Sequence, residues 1–202
     1  MKGEVFLFLI ILGILTGKAL ELKNGDLIFV GEGKGDFSKA ISESTANHDS
    51  IRFVHVGIIE IDNGETFVIE ASPDEGVRKV SIQQFLEHNP LIVIKRIKID
   101  FPVEAMLEKA KSHIEEEYDW LYLPNNGKMY CSELVYETYL DKDGNHLFNS
   151  KPMNFRSPDG SMPQFWIDLF ERLGTPIPEG VEGTNPADLS ASPLLENVFI
   201  NK

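Results

Sequence analysis

Residues 52 to 72, RFVHVGIIEIDNGETFVIEAS, set two β-rich runs on either side of Asn63-Gly64. An Asn-Gly pair between such runs is the strongest short-range signal for a tight β-hairpin, because the favoured turn needs positive φ at both central residues. A two-residue turn at this point sets the register: Asp62 faces Glu65, and counting outward His55 faces Ser72 and Gly57 faces Glu70. Glu70 is then the diagonal neighbour of His55 on the same face of the sheet, about 7–8 Å away at the backbone and within reach for a long side chain. Gly57 is expected to leave room beside them. A slip of one residue would send His55 and Glu70 to opposite faces, so the turn decides whether imidazole and carboxylate can meet.

The other elements follow from local signals. Asn24-Gly25-Asp26 reads as a turn before a short buried strand, Leu27 to Val30, and Asp36 to Asp49 as a short helix and a polar loop. VRKVS and LIVIKRIKI read as strands, with Ser81 and Gln84 spaced as the capping box of a short helix between them. Asp100 and Pro102 open an amphipathic helix whose Val103, Met106, Leu107, Ala110 and Ile114 recur at helical spacing and form core. Helices are also expected from Cys131 to Leu140, ended by the turn at Asp141 to Gly144, and from about Ser161 to Leu173. The Pro-, Gly- and Ser-bearing stretch from Gly174 to Pro193 reads as an ordered surface loop or tail. Strands and helices in this order make an α+β domain, and 202 residues supply one core.

Residues 1 to 19 have Lys2 near the start, an apolar run from Val5 to Leu15, and small residues at Gly17 and Ala19, the pattern of a cleaved secretory signal. The run is too short for the roughly 20 residues that span a bilayer. The expected mature domain is therefore residues 20 to 202, secreted or periplasmic, without a stable membrane span. A formal charge of -13 argues against nucleic acid or an anionic membrane surface as a partner, since both need a basic patch. Glycines 31, 33 and 35 form neither a dinucleotide fingerprint nor a phosphate loop.

YCSELVY, residues 130 to 136, holds the only cysteine, so an internal disulfide is impossible. In the first turn of its helix, Cys131 points inward with Leu134 and Val135, an orientation that suits a small core residue and a nucleophile equally. Unpaired N–H groups and the dipole at a helix N-terminus favour a thiolate, and a neighbouring imidazolium would add to this. A carboxylate beside the imidazole orients it, the part of a third triad member, and so His55, Glu70 and Cys131 form a candidate constellation. No HxxxH or CxxC accompanies them, so no metal and no cofactor are expected. His48, His88, His113 and His146 lie in polar contexts and read as surface residues.

The segments GDLIFV, HVGIIE, FVIEAS, YDWL and YCSELVY, in this order, resemble the permuted YiiX/YaeF-like branch of the NlpC/P60 superfamily of papain-like cysteine hydrolases. The resemblance runs from about Asn24 to Tyr139 and more weakly through NPADLSASP. It implies a circularly permuted papain-like fold, an antiparallel barrel-like sheet packed against helices. It implies Cys131 as nucleophile, His55 as general base and Glu70 as the third residue, with Tyr118 and Tyr130 at the substrate. Leu121 and Tyr122 stand where ordinary members carry glycines, Tyr130 replaces an Asp, and Glu133 replaces a Gly, so peptidoglycan specificity does not carry over directly. The implied activity is cleavage of an amide bond, as in cell-wall peptides. The partner would be a small peptide, an amino-acid amide or a lipid. A lipid acyl hydrolase, an acyltransferase and a non-catalytic binding module are the alternatives on the same fold.

Overall fold

The computed structural model describes residues 21–45 and 51–200. The segment read as a signal and His48 lie outside them. Among the described residues there are eight strands, β1 (Leu27–Gly31), β2 (Phe53–Asp62), β3 (Glu65–Ser72), β4 (Gly76–Ser81), β5 (Ile92–Ile97), β6 (Lys151–Pro152), β7 (Glu182–Gly183) and β8 (Leu195–Ile200), and six helices. These are α1 (Asp36–Ser44), α2 (Ile82–His88), α3 (Val103–Ser112), α4 (Cys131–Thr138), α5 (Gln164–Leu173) and α6 (Pro186–Ser190). Six strands form one antiparallel sheet in the order β4-β3-β2-β1-β5-β8, barrel-like but open, and β6 pairs with β7 in a separate ribbon. The fold is α+β, as the order of elements required.

Asn63 and Gly64 take φ of 50° and 83°, and the ladder runs from Asp62↔Glu65 to Ile58↔Ile69 in the expected register. The sheet is covered on both faces, which is why β1 reads as an unbroken apolar run. Leu27, Phe29, Val56, Ile58 and Ile69 pack with Met106, Leu134, Val135 and Trp166 from the helices, while Ile28, Val30, Ile59 and Val68 pack with Ile82 and Phe85 of α2. The capping box of α2 is formed: Gln84 N–H donates to Ser81 Oγ and Ser81 N–H to Gln84 Oε1, each at 3.3 Å.

Several expectations need correction. Gly57 leaves no free space, since a Cβ there would stand 2.5 Å from Val68 Cγ1, and the room belongs to core packing. Helix α5 starts at Gln164, because Pro163 takes the N-cap position. The stretch from Gly174 to Pro193 is no surface tail: it contains β7 and α6, with Thr184, Ala187, Leu189 and Ser190 buried. A readable signal was present, for Asn185 caps α6 by accepting from Asp188 N–H at 2.8 Å and Pro186 occupies the first turn. Strand β8, which pairs with β5, lay beyond any sequence signal used above.

Gly76 begins β4 at φ 71°, a left-handed conformation, and a Cβ on it would collide with the carbonyl oxygen of Glu116. The same loop holds the strand's edge through Val77 N–H to Glu116 O and Glu115 N–H to Val77 O. Gly76→Ala is therefore expected to destabilise the fold by about 1–3 kcal/mol, read as a lower urea midpoint at unchanged slope.

Candidate active site

Cys131 is the first residue of α4 and is 4% exposed. Its neighbours Leu134 and Val135 anchor the helix in the core, and α4 packs on β2, β3 and α3. Glu133 accepts from the Tyr130 N–H at 3.4 Å, satisfying one of the amide groups that a helix start leaves unpaired.

His55 lies near the start of β2, next to an irregularity: Val30 pairs with His55 but Gly31 pairs with Phe53, so Val54 is an extra residue in the ladder. Such a bulge bends the strand and re-aims the side chains beside it. The His55 ring stacks on Phe85 at a centroid distance of 6.2 Å, and its Nε2 meets Glu70 Oε2 at 2.5 Å. Cys131 lies near enough for its charge to act on the ring. Burial disfavours the imidazolium, but its interactions with Cys131 and then with Glu70 outweigh this and raise the His55 pKa to about 10. The three residues read from spacing thus converge, with His55 between the other two.

Glu70 is held harder than a triad member needs. Its side chain is 5% exposed, and burial alone would raise its pKa, yet the hydrogen bonds and charges of His55 and Arg78 bring it below the usual value. Arg78 donates to Glu70 Oε1 from Nε at 3.0 Å and Nη2 at 2.7 Å, and its Nη1 donates to Glu75. Sequence reasoning missed Arg78. It stands directly across from Glu70 in the β3–β4 ladder, and the three-residue connection ending at Gly76 was the available clue.

Tyr118 and Tyr130 line the cavity that contains Cys131, which has a volume of about 200 Å³. Tyr122 lines it too, and was missed; its φ is 54°, its ring lies 5.1 Å from that of Tyr130 and 6.5 Å from that of Tyr118. The Tyr130 hydroxyl accepts from Thr184 N–H at 3.1 Å, tying the wall to the segment between β7 and α6. Gly183 permits this approach, because a Cβ there would stand 2.8 Å from that hydroxyl. A second cavity of about 320 Å³ borders His55, Glu70 and Arg78 and shares Tyr118 and Val54 with the first, so His55 and Cys131 sit where the two meet.

Burial, with the Asp119 carboxylate nearby, raises the pKa of Glu133 to about 8, and it is mainly neutral at pH 7. Of the other described histidines none lines the Cys131 cavity, while His88 lines the second one. His88 and His146 are exposed, His146 stacking on Tyr136 at 3.9 Å. His113 is half-buried against Glu116 at 3.0 Å instead of lying on the surface.

The fold is of the permuted papain-like kind, with His55 ahead of Cys131 along the chain. The sequence profile of the permuted papain-like amidases, YaeF/YiiX, C92 family, matches residues 21–199, and the chain belongs to that family. At the family level it is a cysteine hydrolase of the amidase kind. It is 27% identical to the Escherichia coli (strain K12) protein named uncharacterized protein YiiX, over 98% of this chain and 96% of that one. The crystal structure of YiiX from Escherichia coli O157:H7, titled a metalloprotein, superposes with a TM-score of 0.71 over 88% of this chain and 97% of that one at 24% identity, a likeness of fold.

Removing Arg78 leaves Glu70 buried with one cationic partner. Arg78→Ala is expected to cost about 1–3 kcal/mol in urea unfolding, and Arg78→Lys to recover only part of it, because an ammonium lacks the two-pronged donor.

Proposed function

We propose that this protein is an exported cysteine amidase that cleaves the amide bond of a small peptide or amino-acid derivative, cell-wall peptides being the natural source of such bonds. The observation that carries the reading is the position of His55, hydrogen-bonded to Glu70 at 2.5 Å, close to Cys131, and lining a cavity that adjoins the one Cys131 lines. The charge pattern of residues 1 to 19 supports export.

In this reading the Cys131 thiolate attacks the substrate carbonyl carbon, and the developing oxyanion accepts from the Cys131 N–H at the helix start. The C–N bond breaks as the His55 imidazolium gives its Nδ1 proton to the leaving amine, and a thioester remains on Cys131. Water then attacks the thioester while His55 takes its proton, and the acid and free thiolate are released. Glu70 orients the ring and favours its charged form, and Arg78 positions Glu70. No step is routed through a metal: among the described residues no three His, Cys, Asp or Glu side chains are grouped to hold one.

The sign of the pH dependence follows from His55. Its raised pKa keeps the imidazolium through neutral pH and loses it as pH rises past about 10. Alkylation of Cys131 by iodoacetamide at pH 6 is expected to be fast and to depend on His55. In His55→Ala the rate at pH 6 should fall by about 100-fold or more, as for an ordinary thiol. Slow alkylation that ignores His55 would sink the hydrolase reading in favour of a binding module.

A further inference from the structure

Among the described residues, three buried hydroxyls without a hydrogen-bond partner, those of Tyr122, Ser132 and Thr184, belong to side chains on the wall of the Cys131 cavity. The three residues are 8%, 1% and 8% exposed. Their neighbours are Tyr130, whose hydroxyl accepts from Thr184 N–H at 3.1 Å, and Tyr118, whose ring lies 6.5 Å from that of Tyr122. Leaving a buried hydroxyl unpaired is costly, a cost that Phe, Ala and Val in the same places would avoid.

Tyr122 carries a second cost. Its φ of 54° is one that a bulky residue adopts only where the surroundings impose it, and such outliers gather at ligand sites. Burial keeps its phenol protonated, and so a donor. The cavity has aromatic walls from Tyr118, Tyr122, Tyr130 and Phe155 and a volume of about 200 Å³. That is little more than a benzene-sized site of about 150 Å³ and matches one residue-sized group better than a long chain.

We propose that Tyr122, Ser132 and Thr184 form the acyl subsite of the enzyme, hydrogen-bonding the polar atoms of an aminoacyl or short peptidyl group and disfavouring a fatty-acyl chain. The inference rests on the amidase reading, which makes Cys131 the atom that receives the acyl group. A site built to hydrogen-bond its ligand rejects an analogue lacking those groups, because its own buried donors are then left unpaired.

The test is protection of Cys131 in the full-length folded protein from iodoacetamide at neutral pH, with alaninamide or hexanamide as the competing ligand. Alaninamide is expected to slow alkylation at concentrations where hexanamide does not. Thr184→Val and Tyr122→Phe, assayed separately, should each weaken that protection by about 3- to 10-fold, the worth of one hydrogen bond. Protection by hexanamide equal to or better than that by alaninamide, protection by neither, or wild-type protection in both variants would overturn the subsite. Failure of the amidase reading shows differently, as slow alkylation without any ligand that does not change in His55→Ala, and it takes the subsite with it.

Discussion

The buried carboxylate of Glu70 is the constraint around which this site is arranged. An ionised carboxylate with 5% of its side chain exposed is costly unless paired and hydrogen-bonded. Here one oxygen meets His55 on β2 and the other meets Arg78 on β4, with Glu70 itself on β3 between them. Three strands must keep their relative registers for that to hold. Two turns with left-handed residues, Asn63-Gly64 and the connection into Gly76, set those registers.

The charges close on themselves. Within a chain of net charge -13, the site sets two cationic side chains, His55 and Arg78, beside Glu70 and Cys131. Cys131 and Glu70 favour the imidazolium, and His55 and Arg78 favour the Glu70 carboxylate, which is why His55 is protonated despite burial and Glu70 is ionised despite it. The core on either face supplies the rigidity. Leu134 and Val135 fix the helix that presents Cys131, and Phe85 backs the imidazole from the other side.

The hairpin, the α2 capping box, the apolar stripe of α3 and the helix beginning at Cys131 were legible because each rests on residues close in sequence, where turn geometry and periodicity act directly. His55 and Glu70 were legible for the same reason, since one turn relates them. Arg78 was not, because its partner lies across a second turn whose register went unread. Tyr122 was visible only as a departure from the glycine pattern of the ordinary members of the superfamily the sequence resembles, and its left-handed backbone and place on the cavity wall emerge only once the loop between Tyr118 and Tyr130 is folded. The segment from Gly174 to Pro193 misled because its prolines and glycines signal turns without saying whether the turns face solvent or close a cavity.

By itself the sequence determined the α+β class and the hairpin register that sets His55 near Glu70, because these follow from local stereochemistry. Only the tertiary structure decided that Cys131, 76 positions after His55, reaches its ring, that a second cation grips Glu70, and that the segment around Thr184 walls the cavity. Those outcomes depend on how helices and a late segment pack on the sheet. Packing among elements distant in the chain is a collective balance of burial and shape that no local pattern encodes.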